Sequence, residues 1–180
     1  MKILETPRLI LREFTPNDAD ALALILSDAE TMRFYPTALD RPGVEHWIAR
    51  NIQRYATNGH GLWAMVLKSS GEMIGDCGLT VQEVEGMDEV EVGYHVRRDL
   101  WGHGLATEAA RACRDFGFAR LPVERIISLI RPENPPSRRV AEKNGMTVWK
   151  QLMWRGLPHI VYVIQRADKV SSSLTSPLHL

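Results

Sequence analysis

The stretch Trp101-Gly102-His103-Gly104-Leu105-Ala106-Thr107 decides how this chain is read. It follows a strand-like run, Glu89–Val96, and opens a helical pattern that puts Leu105, Ala109, Ala112, Cys113 and Phe116 on one face. A strand, a glycine turn and a helix N-terminus make a cradle for an anion. The first amides of a helix have no acceptor within it, and the helix dipole adds partial positive charge there. Gly102 and Gly104 have no Cβ, so phosphate oxygens can approach the main chain. The stretch therefore predicts a phosphate-bearing ligand. It has no P-loop lysine, and Thr107 stands where a dinucleotide fingerprint needs its third glycine. The P-loop reading therefore fails, and a dinucleotide site is disfavoured.

Upstream, Leu62–Leu67 and Met73–Val81 read as strands joined by the turn Lys68–Glu72, and Val84–Asp88 reads as a second turn. Arg8–Phe14 alternates around Leu9 and Leu11 and reads as the first strand. Thr15 and Pro16 start a helix predicted to run to about Met32, and Asp40 caps another that ends near Asn58-Gly59. Downstream, Arg125–Ile130 reads as a buried strand. Asn134, with Pro135 behind it, caps a short helix closed by Gly145. Thr147–Trp154 and Ile160–Gln165 make a last hairpin across Arg155–Pro158. No repeat or linker interrupts the pattern. We expect one α/β domain over residues 1–170 and a frayed tail over 171–180.

The bulk numbers narrow the class. The 180 residues suffice for one domain with a sizeable core, and Lys plus Arg equals Asp plus Glu at 22 each. That balance argues against a general nucleic-acid or membrane binder. Cys77 and Cys113 lie in apolar runs without metal spacing, so no metal is expected and reduced thiols are. Met1–Glu13 lacks the apolar stretch of a signal peptide, and no run reaches membrane-spanning length. A cytoplasmic monomer or homodimer is the expectation.

Three ordered blocks resemble the GNAT superfamily of acetyl-CoA-dependent N-acetyltransferases, in particular its RimJ/RimL-like branch. The first is Thr6-Pro7-Arg8-Leu9-Ile10-Leu11-Arg12. The second is Gly93-Tyr94 followed by Trp101-Gly102, Gly104 and Ala106-Thr107-Glu108-Ala109. The third is Asn134 and Ser137, leading to Glu142-Lys143-Asn144-Gly145-Met146. Asp99 departs from the superfamily pattern, which carries Arg or Gln there. The resemblance covers about residues 5–166. It implies a mixed, mostly antiparallel sheet of six to seven strands flanked by helices, with a cofactor cleft splayed between the fourth and fifth strands.

The resemblance also implies roles. The pantetheine arm of acetyl-CoA would pair with Val96, and the amides of Gly102, His103, Gly104, Leu105, Ala106 and Thr107 would take the pyrophosphate. Asn134 and Ser137 would lie near the pantetheine and sulfur, and Lys143 near the outer phosphates. An amine would attack the thioester directly in a ternary complex, with Ser137 supplying a proton to the thiolate. Members of the superfamily often use a tyrosine on the same helix; here that stretch is Val140-Ala141.

Strand alternation puts Glu89, Glu91, Gly93 and His95 on one face. Glu91 is the first candidate base, with His95 second; the competing reading has Glu89 and Glu91 simply lining a solvated strand. Tyr35, Trp63 and His95 are the acceptor-contact candidates, and Trp47 is expected to be core. An α-amine, with a pKa of roughly 8, is neutral far more often at pH 7 than a lysine near 10.4. A site with no obvious strong base therefore suits the N-terminal α-amine of a protein or peptide. A small-molecule amine is the enzymatic alternative, and a non-catalytic acyl-CoA-binding module the alternative of another class.

Overall fold

The computed structural model describes residues 1–167. Its strands are β1 (Lys2–Glu5), β2 (Leu9–Arg12), β3 (Leu62–Leu67), β4 (Met73–Val84), β5 (Met87–Val96), β6 (Arg125–Ile130), β7 (Thr147–Trp154) and β8 (Leu157–Gln165). They form one sheet in the order β1-β2-β3-β4-β5-β6-β8-β7. Every neighbouring pair is antiparallel except β5 and β6, which run parallel. The tail expected over 171–180 lies outside the described residues.

Each face of the sheet is buried by helices. On one, α1 (Ala19–Leu26) and α2 (Arg41–Asn58) place Leu22, Ile25, Val44 and Ile48 against Leu62, Ala64 and Met73. On the other, α3 (Leu105–Arg120) sets Leu105, Ala109 and Cys113 against Cys77, Leu79, Val90 and Val92. The fourth helix, α4 (Pro135–Lys143), joins α3 at its C-terminal end, where Arg111 and Arg114 donate to the carbonyls of Lys143 and Asn144. Cys77 and Cys113 are free thiols in this core, their sulfurs 3.5 Å apart.

The structure corrects several expectations. The sheet has eight strands rather than six or seven, because Lys2–Glu5 folds back on β2 through the turn at Thr6–Arg8. Four residues with Lys2 and Glu5 at the ends carry too little alternation to read as a strand. The first helix ends at Leu26, not near Met32; the Asp28 carboxylate accepts from the Thr31 amide at 2.9 Å and from its hydroxyl, a local turn that competes with the helix. Thr15 precedes a 3₁₀ turn, Pro16–Asp18, before α1 begins.

The turn placed at Val84–Asp88 shrinks to Glu85-Gly86, and that at Arg155–Pro158 to Arg155-Gly156. Both are two-residue hairpin turns with both residues at positive φ, the twist that antiparallel strands favour. Pro158 thus sits inside β8. It pairs with Met153 beyond the end of the β6 ladder, where its missing N–H costs no bond to β6.

Candidate active site

The parallel pair β5–β6 shares one register position, Glu91 opposite Ile127. Beyond it the strands diverge, and side chains replace the missing rungs. The Ser128 hydroxyl donates to the Val92 carbonyl at 2.8 Å, and the Glu91 carboxylate accepts the Leu129 amide at 3.1 Å. Since Val92 presents its carbonyl to β6, strand alternation turns the backbone of Tyr94 and Val96 toward the same opening. Two adjoining clefts open from this split.

The first cleft, about 420 Å³, runs from the split to the glycine turn and α4. Gly102 and Gly104 both have left-handed φ, 81° and 77°, which an L side chain rarely adopts. Gly104 is the N-cap of α3, and the Glu108 amide is the one that bonds back to its carbonyl. The amides of Leu105, Ala106 and Thr107 precede that bond, so they have no acceptor within the helix. His103 is exposed, its ring turned onto the carbonyls of Leu100 and Trp101. Lys143 lies on the α4 wall. Val96 lines this cleft, and its carbonyl accepts the Trp101 indole N–H at 2.7 Å.

A latch holds the turn in place. Glu108, in the first turn of α3, accepts from the Thr6 hydroxyl at 2.6 Å, the Arg8 amide at 2.9 Å and the Arg8 guanidinium at 2.7 Å. Arg8 also donates to the His103 carbonyl. Burial would raise the Glu108 carboxyl, but these bonds outweigh it and hold it below the usual range. The first and second sequence blocks are thus one structural unit.

Asn134 caps α4 by accepting the Ser137 amide at 3.2 Å. The Tyr94 hydroxyl donates to the Ser137 carbonyl at 2.8 Å, tying β5 to α4. Asn134, Ser137, Tyr94, Tyr35 and His95 line both clefts, so they stand where the two meet.

The second cleft, about 300 Å³, lies on the α2 side. Here Glu91 is enclosed between Leu129 and Gln82, whose amide donates to it at 2.8 Å, and burial pushes its carboxyl up from the ordinary range. His95 is buried and doubly bonded: Nδ1 to Asp76 at 2.7 Å and Nε2 to the Tyr35 hydroxyl at 2.7 Å. With Asp76 ionised, Nδ1–H donates to it and Nε2 accepts from Tyr35. Desolvation of its hydroxyl end, with the Glu91 and Asp76 carboxylates nearby, raises the Tyr35 phenol above its usual value, which keeps it a donor.

Three expectations change at this site. Trp63 is not an acceptor contact: it is 1% exposed and stacks edge-on with Phe116 in the α3 core, because it sits on the α3 side of β3. Trp47 packs against the α1–α2 core as expected, but it also lines the second cleft and donates its indole N–H to Asp76 at 2.9 Å. Glu89 and Glu91 do not line a solvated face: Glu89 is 6% exposed in an ion pair with Arg125. Asp76, a lone acid in the run Ile74-Gly75-Asp76-Cys77, carries no sequence signal, since its role depends on His95 lying opposite it across the β4–β5 pair.

The first cleft fits acetyl-CoA on its own features: open helix amides under two left-handed glycines at one end, and a strand edge without a β-partner at the other. Comparison with known proteins agrees. Residues 8–147 match the model of the GNAT acetyltransferase domain. Bacillus subtilis (strain 168) YkkB is 36% identical over 160 residues, covering 88% of this chain and 93% of its own. The Bacillus licheniformis N-acetyltransferase p20 is 32% identical over 157 residues, 86% of each chain.

Among solved structures, a GNAT-family acetyltransferase from Bacillus anthracis overlays with a TM-score of 0.77 at 24% identity, covering 94% of this chain and 99% of its own. RimL, a ribosomal L7/L12 α-N-protein acetyltransferase in complex with coenzyme A, overlays at 0.73 with 17% identity over 92% of this chain and 98% of its own. AAC(6')-Ib with ribostamycin and coenzyme A also overlays at 0.73, with 18% identity over 94% and 99%. The eight strands, the splayed parallel pair and the glycine turn are thus those of a GNAT acetyltransferase, the family to which this chain belongs as an acetyl-CoA-dependent N-acetyltransferase.

Proposed function

We propose that the protein acetylates the N-terminal α-amine of a peptide or protein, with Glu91 as base and Ser137 as the group that returns a proton to the departing thiol. The observation that carries this reading is Glu91 itself. Among the described residues it is the one carboxylate lining the acceptor-side cleft, it sits at the register position from which β5 and β6 diverge, and burial raises its affinity for a proton. A carboxylate so raised is a better base than an ordinary one, yet it remains weak against a lysine amine. An α-amine needs less help.

Acetyl-CoA supplies the activated acetyl thioester. The chain's own groups do the rest. Leu105–Thr107 would hold the pyrophosphate with their open amides, and Lys143 would add charge on the α4 side. The Asn134 cap fixes Ser137 at the junction, and the Tyr94 bond to the Ser137 carbonyl keeps that turn of α4 against β5. Asp76 and His95 orient the Tyr35 hydroxyl at the same junction, where it would position the acceptor amine. Glu91 takes the proton the amine loses, directly or through one water.

RimL, similar in fold, is named as an α-N-protein acetyltransferase, which supports the same acceptor class. The test is an acceptor screen with purified protein and acetyl-CoA, following thiol release. Peptides with a free α-amine and no lysine should react faster than N-terminally blocked peptides with one internal lysine. Faster lysine acetylation would overturn the α-amine assignment, and no turnover after removal of Glu91 or Ser137 side chains is not required: slower turnover in each is.

A further inference from the structure

The acceptor-side cleft carries charge that acetyl transfer alone does not call for. Arg50, Arg54 and Arg155 line it, and among the described residues none of them has a carboxylate within ion-pair distance. Their contacts are neutral. Arg54 donates to the Asn51 amide oxygen at 3.3 Å, and Arg155 to that of Gln82 at 3.4 Å. Arg50 and Arg155 lie over the rings of Trp47 and Trp154. Arg50 and Arg54 are one helical turn apart on α2, a like-charge spacing that disfavours the helix. Arg155 comes to them from the far end of the chain, on the β7–β8 turn.

A fourth cation, Arg131, lines the same cleft. Glu133 engages its Nη2, and its buried Nε has no partner. Against these stands, among the described residues, a single lining carboxylate, Glu91. Burial and repulsion among the arginines lower the guanidinium groups of Arg50 and Arg54, and for Arg54 the Glu91 carboxylate offsets this only in part. The glycine turn belongs to the other cleft, so the phosphates of acetyl-CoA do not answer this charge.

We propose that the acceptor amine carries a carboxylate that docks against Arg50, Arg54 and Arg155. This rests on the amine-acceptor reading above and narrows it. A polycationic amine would meet like charge in this cleft, whereas a carboxylate would find planar guanidinium donors. The carboxylate has two possible sources: an acidic side chain next to the reacting amine of a peptide, or the α-carboxylate of a free amino acid.

The experiment measures initial rates on matched acceptors. One arm uses C-terminally amidated peptides whose second residue is Asp, Asn or Lys, with a free α-amine. A second compares free amino acids with their amides. A third repeats the acidic, neutral and basic flanks around an internal lysine in N-terminally blocked peptides. The wild type should favour the acidic member by on the order of tenfold in kcat/KM, expressed in KM rather than kcat. In the Arg54→Gln/Arg155→Gln double variant the ratio of acidic to neutral should collapse toward one, and the Arg54→Lys/Arg155→Lys variant should restore part of it.

Whichever of the first two arms shows the preference identifies the source of the carboxylate. Equal rates across the charge series in the wild type, or a ratio unmoved in the double variant, overturn the proposal. A charge preference found only in the lysine arm overturns the α-amine assignment instead. If no acceptor turns over, calorimetric titration of the CoA-saturated protein with the acetylated acidic peptide and its Asn counterpart decides: tighter acidic binding, lost in the double variant, supports the proposal, and equal affinity overturns it.

Discussion

Glu91 does two things at once, and they can be separated by measurement. Its carboxylate stands in for a missing rung between β5 and β6, and it faces the acceptor side. Because burial raises its pKa, the ionised base accumulates only as pH climbs through that raised value, so kcat/KM should show an acid limb above the ordinary carboxylate range. Glu91→Gln should abolish that limb and lower kcat by about 10²- to 10⁴-fold. Stability has the opposite sign. A raised folded pKa favours folding below the unfolded value and loses that advantage as pH rises through the folded one. Denaturant titrations of wild type and Glu91→Gln at pH 4 and pH 8 should therefore show the variant gaining on the wild type at the higher pH. Trp63 is the control at this scale. Trp63→Ala should cost about 3–5 kcal/mol of stability, as large core truncations do, while leaving the KM for acceptor unmoved.

Between elements, the governing contact is the latch from Thr6 and Arg8 to Glu108, which ties the start of β2 to the first turn of α3. Glu108→Gln should lower stability by roughly 1–2 kcal/mol, the low end reflecting a half-exposed Arg8. It should also raise the KM for acetyl-CoA, since the glycine turn loses its anchor; isothermal binding of CoA checks that directly. The lowered Glu108 pKa means this contribution is present above the ordinary carboxylate range and lost as pH falls through the depressed value. Elements built on periodicity or caps were legible from the amino-acid order: β3, β6, α3, the Asp40 and Asn134 caps, and the glycine turn. What could not be read there depends on partners distant in sequence. β1 has no pattern without β2, and Tyr35, His95, Asp76 and Trp47 come together from a loop, two strands and a helix. The face that Trp63 occupies is fixed by register with β2 and β4, since an apolar run such as Leu62–Leu67 shows no alternation to say which side is which.

For the whole molecule, equal numbers of acidic and basic residues hide an uneven distribution. Cations concentrate around the acceptor cleft, which bulk composition could not reveal. Among the described residues no helix is long and apolar enough to cross a membrane, and no group of three or more His, Cys, Asp or Glu could hold a metal. The sheet itself is unevenly joined. Strands β1–β5 form one ladder and β6, β8 and β7 another, and a single register position with three side-chain bridges, from Ser128, Glu91 and the Glu89–Arg125 ion pair, connects β5 to β6. Such a seam sets the cooperativity of unfolding. The three-strand half should open at lower free energy than the five-strand half, visible as faster amide exchange along β6 and β8 than along β4. A ligand bound along the seam favours the joined state, so saturating CoA should slow exchange on both sides and merge the two openings into one transition.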